Sequence, residues 1–152
     1  MVKFVTGDLF TYPGLDAIAH GCNCAGVMGA GIAKEFKKRF PGNYEYYKAA
    51  CTDGSFRPGI VLSYKAFNKY ILNLATQDEF INPATLDVVK ECLWQMLDVV
   101  NMSNACGYSN IKTIGLPRIG AGLGGLDWDE VKQVILELDT EGLELIVFEE
   151  WK

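Results

Sequence analysis

The chain has 152 residues, 49% of them hydrophobic and 22% charged, with a formal net charge of −5. That mixture excludes a disordered tail and fits one cored globular domain over residues 1–152; the acidic balance excludes a sequence-independent grip on a nucleic-acid backbone, which needs a basic surface. No apolar run approaches the roughly 20 residues that span a bilayer, and the first residues lack the apolar segment and cleavage site of a signal peptide, so a cytoplasmic protein with no membrane partner is expected.

Residues 2–6 read as a strand entering a turn, and 15–20 as a second, mostly apolar strand suited to a sheet covered on both faces. Residues 29–40 are helical, because Ile32, Phe36 and Phe40 recur every four positions with lysines opposite. Pro41-Gly42-Asn43 stops that helix, and 44–50 make a further short one. Residues 59–64 and 70–76 are β-rich runs joined by 65–69 as a hairpin, so that pair is antiparallel. Asn82-Pro83 marks a helix start, with Asn as N-cap and Pro in the first turn. The stripe Leu86, Val89, Leu93, Met96, Leu97, Val100 then keeps a helical period over about four turns. A strand at 111–116 follows. Asp127-Trp128-Asp129-Glu130 forms a capping box ahead of a helix reaching Leu138, and 143–148 close the chain as a buried strand. Strand–helix alternation with apolar strands implies an α/β fold, a three-layer α/β/α sandwich with a mixed central sheet. Ligands of such folds bind beyond the carboxyl ends of strands. No apolar stripe is left uncommitted, and a monomer is expected.

Five cysteines and one histidine are present. Cys22-Asn23-Cys24 lacks the two-residue spacer of zinc or thioredoxin motifs and no second pair completes a tetrahedral site, so reduced thiols and no metal or cofactor are expected. The informative residues are two glycine clusters that follow strands and precede helices. One is Asn23-Cys24-Ala25-Gly26-Val27-Met28-Gly29-Ala30-Gly31-Ile32; the other is Gly120-Ala121-Gly122-Leu123-Gly124-Gly125-Leu126. Glycine lets a backbone approach a ligand and turn successive N–H groups toward it, and a helix N-terminus adds partial positive charge. Two such loops can hold a diphosphate without a basic side chain. The alternative is a pair of tight turns. Neither loop is followed by the Gly-Lys-Ser/Thr of a phosphate-binding P-loop.

Taken with Thr6-Gly7-Asp8-Leu9-Phe10, Asp16-Ala17-Ile18-Ala19-His20-Gly21-Cys22-Asn23 and Pro117-Arg118-Ile119 ahead of the second cluster, these segments resemble a macrodomain over essentially the whole chain. The similarity is to the branch that holds terminal ADP-ribose glycohydrolases, antitoxin macrodomains that strip ADP-ribose from DNA, and small ADP-ribose 1″-phosphate phosphatases. It implies an ADP-ribose or ADP-ribose 1″-phosphate ligand, with ADP-ribosylated macromolecules as further partners. It also implies roles. Asp8 would accept a hydrogen bond from the adenine amine, the Leu9 N–H would hold the ring edge, and Phe148 would stack on the base. Met28, Gly29, Ala30, Gly31 and Ile32 would border one side of the diphosphate and distal ribose. Gly120, Ala121, Gly122, Leu123 and Gly124 would wrap the other, with Thr76, Gln77, Pro117 and Ile119 along the same crevice. Asn23 would hydrogen-bond the distal ribose. The competing readings are a turn aspartate for Asp8, a core ring for Phe148 and a turn or capping residue for Asn23.

Glycohydrolases of this branch use a lysine just after the strand that here ends near Thr76, and the resemblance puts Gln77 in its place. Gly124 stands where some members carry an acid. An amide cannot form a Schiff base, so the resemblance favours hydrolysis of the phosphate ester of ADP-ribose 1″-phosphate, with Asn23 and His20 as the catalytic candidates. His20 is the one imidazole available as acid or base; a buried histidine at a strand end is the other reading. An ADP-ribosyl hydrolase and a non-catalytic ADP-ribose-binding module are the alternatives. Asp8→Ala is expected to weaken ADP-ribose binding by about 1–3 kcal/mol. Equal affinity of the wild-type chain for ADP-ribose and an inosine analogue, measured by calorimetry, would reject the adenine role.

Overall fold

A computed structural model describes all residues except Phe80, Ile81, Leu123 and Lys152, together with the side chain of Trp151. The elements run β1 (Val2–Gly7), β2 (Ala17–Cys22), α1 (Gly31–Arg39), α2 (Pro41–Thr52), β3 (Val61–Lys65), β4 (Tyr70–Ala75), α3 (Leu86–Ala105), β5 (Thr113–Leu116), α4 (Trp128–Leu136) and β6 (Glu144–Trp151). The six strands form one sheet in the order β1-β6-β5-β2-β4-β3. All neighbours are parallel except β3 and β4, which pair antiparallel across the hairpin. The mixed sheet of the expected three-layer sandwich is therefore present.

Side chains alternate along the central strands with the period of two that a pleat imposes. Ala17 and Ala19 of β2, Leu72 and Leu74 of β4, and Leu145 and Val147 of β6 join Val89, Leu93, Met96 and Val100 of α3 and Val131 and Ile135 of α4 in one core. Ile18, Ile71, Ala75, Ile146 and Phe148 point the other way and pack with Phe36 of α1 and Tyr47 of α2. Burying side chains of this size contributes roughly 1.5–3 kcal/mol each. Among the described residues no helix is long and apolar enough to cross a membrane.

Several boundaries differ from the sequence reading. The helix placed at Asn82-Pro83 begins at Leu86 instead. Its cap is Thr85, whose Oγ1 accepts from the Val88 N–H at 3.3 Å; the stripe had the right phase, but Pro83 lies in the approach to the helix. Pro41 does not merely stop α1. It opens α2 at a first-turn position, where its missing N–H costs nothing. Asp127 caps α4 as expected, accepting from the Asp129 N–H at 3.4 Å.

The face covered by α1 and α2 holds a polar cluster. His20 is 0% exposed, and its ring lies flat on Phe36 with centroids 3.7 Å apart. Its Nε2 is 2.8 Å from Asn73 Oδ1. Asn73 donates through Nδ2 to Asn43 Oδ1 at 2.8 Å and to the Leu62 carbonyl at 3.1 Å, and Asn43 donates back to Asn73 Oδ1 at 3.0 Å. With both Asn73 protons committed, its oxygen is the acceptor and His20 Nε2 carries the proton. Burial holds the imidazole neutral by lowering its pKa from 6.5 to about 4, an effect the Asn73 hydrogen bond only partly opposes. A depressed folded-state pKa means that the unfolded chain binds the proton first. The resulting stability is complete above the unfolded pKa of 6.5 and is lost as pH falls toward 4. We expect urea unfolding to show a loss of about 3 kcal/mol across that window. His20→Gln should flatten the profile, because the chain contains no second histidine.

Candidate functional site

The loops after β2 and β5 form the site because of where their chains go next. The two strands are neighbours in the sheet, yet β2 continues into α1 and α2 on one face and β5 into α4 on the other. Adjacent strands whose connections diverge leave a crevice beyond their carboxyl ends. A cleft of about 330 Å³ opens there.

One wall carries Asn23, Met28, Gly29, Ala30, Gly31 and Ile32. The other carries Pro117, Ile119, Gly120, Gly122 and Gly124, and Thr76 and Gln77, which follow β4, line the cleft as well. The structure thus brings together most of the residues singled out from sequence. Asp8, Leu9, Ala121, Phe148 and His20 do not line this cleft, and Leu123 lies outside the described residues. Asp8 forms a turn, its Oδ1 accepting from the Phe10 N–H at 2.9 Å. Its second carboxylate oxygen and the Leu9 N–H have no partner among the described residues. The Leu9 side chain is buried in the core. Phe148 is packed as a core ring, 3% exposed and met edge-on by Tyr12 at 5.2 Å. His20 sits wholly in the core beneath α1, so strand alternation has turned the one imidazole away from the crevice.

Both walls present main-chain donors. Helix α1 starts at Gly31 with Ala30 as its N-cap and no capping side chain, and it has no acid in its first turn. Its first N–H groups therefore have no intrahelical acceptor, and they lie where Ala30, Gly31, Ile32 and Ala33 line the cleft. Lys37, Lys38 and Arg39 occupy the opposite end and favour the helix dipole. On the second wall the N–H groups of Gly120, Gly122 and Gly124 also lack an acceptor among the described residues, whereas those of Ala121, Gly125 and Leu126 close the turn internally.

Asn23 anchors the first wall. Its Nδ2 donates to the Val27 carbonyl at 2.9 Å, and its Oδ1 accepts from the Ala25 N–H at 3.0 Å. The buried Tyr47 hydroxyl lies 2.8 Å from both Asn23 Oδ1 and the Asn23 carbonyl. The carboxamide oxygen is fully engaged, and one amide hydrogen remains for a ligand. The Gln77 amide donates to the Asn82 carbonyl. Cys22 reaches the cleft, but burial raises its thiol pKa well above the ordinary range, so it is no thiolate nucleophile. At Gly124 an added Cβ would lie 2.5 Å from the Gly120 carbonyl oxygen, so the turn is closed around the absence of a side chain there.

The sequence reading missed Gly21, Cys22, Val27, Ala33 and Arg118 as lining residues. Arg118 had a visible signal: a lone cation two residues after an apolar strand that ends at the crevice.

A macro domain family model matches residues 19–135. The chain belongs to the macro domain family. This macrodomain is 36% identical to a DNA ADP-ribosyl glycohydrolase of Thermus aquaticus over 98% of its own length, and it spans only 41% of that longer protein. It is 31% identical to a human ADP-ribose glycohydrolase, covering 90% of this chain and 83% of that one. It is 28% identical to an ADP-ribose 1″-phosphate phosphatase of Scheffersomyces stipitis, covering 93% and 96% respectively. The solved macrodomain of Mycobacterium tuberculosis DarG superposes with a TM-score of 0.88 at 28% identity over 97% of each chain. The macrodomain of Thermus aquaticus DarG gives 0.85 at 36% over 98% of each.

The two neighbouring glycines of the second wall give a matched test. Nothing lies within 4 Å of a Cβ added at Gly122, while at Gly124 backbone does. Gly124→Ala should lower unfolding stability by about 1–3 kcal/mol, the usual cost of overpacking, and Gly122→Ala by less than about 0.5 kcal/mol, both read by denaturant titration.

Proposed function

We propose that this macrodomain binds ADP-ribose and its derivatives in the cleft and hydrolyses the phosphate ester of ADP-ribose 1″-phosphate. The observation that supports it is the make-up of the walls. Residues whose main-chain N–H groups have no acceptor among the described residues line both walls of one gap, and the described lining residues include no carboxylate, imidazole or lysine. Fixed donors of this kind suit the charge on phosphoryl oxygens, and phosphoryl transfer relies mainly on positioning and charge stabilisation. In this reading water attacks phosphorus and the bond from phosphorus to the ribose oxygen breaks. A phosphoryl oxygen of the substrate takes the water proton and passes it to the leaving oxygen, giving inorganic phosphate and ADP-ribose. Asn23 orients the distal ribose with its free amide hydrogen. His20 takes no part, because its ring is buried, neutral and outside the cleft.

A second reading is removal of ADP-ribose from a macromolecule, favoured by the 36% identity to the DNA ADP-ribosyl glycohydrolase. It would need water in place of the lysine route, because Gln77 offers no nucleophilic amine and the turn at Gly124 leaves no room for a side chain without rearrangement. Incubation with ADP-ribose 1″-phosphate and, separately, with ADP-ribosylated DNA tests both. Phosphate release from the first alone is the expected result. Release of ADP-ribose from the DNA alone would replace it with the second reading, and calorimetric ADP-ribose binding without either turnover would reduce the domain to a binding module.

A further inference from the structure

Arg118 is the one charged residue among the described residues that line the cleft. It is exposed and has neither an ion-pair nor a hydrogen-bond partner for its guanidinium among them. The group rests over the ring of Trp128, 5.3 Å from its centroid. Trp128 is itself fixed, 8% exposed, with its indole N–H donating to Glu149 Oε1 at 3.2 Å. Glu149 is close enough to feel the Arg118 charge, but its salt bridge is made to Lys132 at 2.7 Å and not to the arginine. An exposed arginine whose residue lines the cleft, with its guanidinium resting on an aromatic ring outside that lining, can exchange a weak surface contact for a bidentate grip on an anion in the cleft.

We propose that Arg118 is a ligand-binding residue of this cleft, leaving Trp128 to engage the phosphate groups of the bound nucleotide sugar. The proposal rests on the ADP-ribose reading above and departs from the expectation that main-chain amides alone hold the diphosphate. It also makes binding selective for charged ligands: the arginine contributes to a phosphorylated ligand and adds nothing to an uncharged nucleoside.

The test is calorimetric titration of the intact chain with ADP-ribose and with adenosine, at low and high salt, for wild type, Arg118→Gln and Arg118→Lys. Thermal melts check the fold of each, and the exposed position predicts unchanged melting. Arg118→Gln should bind ADP-ribose roughly five- to ten-fold more weakly, within the range for a partly exposed charged hydrogen bond. Its salt dependence should be reduced and its adenosine affinity unchanged. Arg118→Lys should keep the salt dependence and recover part of the affinity, because charge remains while the planar fork is lost. Unchanged ADP-ribose affinity in Arg118→Gln, or equal losses for ADP-ribose and adenosine, would overturn the proposal. If the wild-type chain binds no ADP-ribose, the nucleotide-sugar reading fails by itself, and inorganic pyrophosphate decides the arginine. Pyrophosphate binding that Arg118→Gln abolishes retains the anion contact; binding that does not depend on Arg118, or no binding, removes it.

Discussion

Main-chain N–H groups that have no acceptor among the described residues, held at the point where β2 and β5 send their chains to opposite faces of the sheet, are the constraint on which the proposed site depends. The α1 N-terminus supplies donors and a favourable dipole, the turn after β5 supplies more, and strand pairing between β2 and β5 sets the gap between them. A chain of net charge −5 can offer such a site to an anion because these dipoles are local and fixed, whereas distant surface charges are screened.

The first wall is supported from below by polar groups in the core. Tyr47 of α2 reaches the Asn23 carboxamide and main chain, so the loop is tied to a helix it does not adjoin in sequence. His20 stacks on Phe36 of α1 and, through Asn73 and Asn43, links β2, β4 and α2. Every buried side-chain nitrogen and oxygen among the described residues has a partner, the condition under which a buried polar network fixes one arrangement. The histidine thus acts on the site as a structural support of the helix that forms its wall.

The proposed chemistry is shaped by what Gln77 and Gly124 leave out. An amide in place of an amine removes the nucleophile that the resemblance assigns to the glycohydrolases of this branch. The compact turn around Gly124 makes the missing acid a property of the loop backbone as well as of one residue. Identity is higher to proteins named for glycoside cleavage than to the one named for phosphate-ester cleavage, so the proposed phosphate-ester reaction rests on the residues in the cleft and not on overall similarity.

Much of the architecture was legible in the residues. The four-residue recurrence of Ile32, Phe36 and Phe40, the stripe from Leu86 to Val100 and the apolar strands specify helices and a sheet covered on both faces, since periodicity is a local property of the chain. The two glycine clusters marked the walls for the same reason. Only the tertiary structure decided which polar residues meet the crevice. His20 and Asn23 are three positions apart, yet strand alternation buries one against Phe36 while the other lies past the strand end in the loop. Thr85 displaced Asn82 as a cap, Phe148 was drawn into the core, and Arg118 joined the residues that line the cleft. Each outcome depends on sheet register and on what packs across from the residue, and both are set by segments distant in sequence.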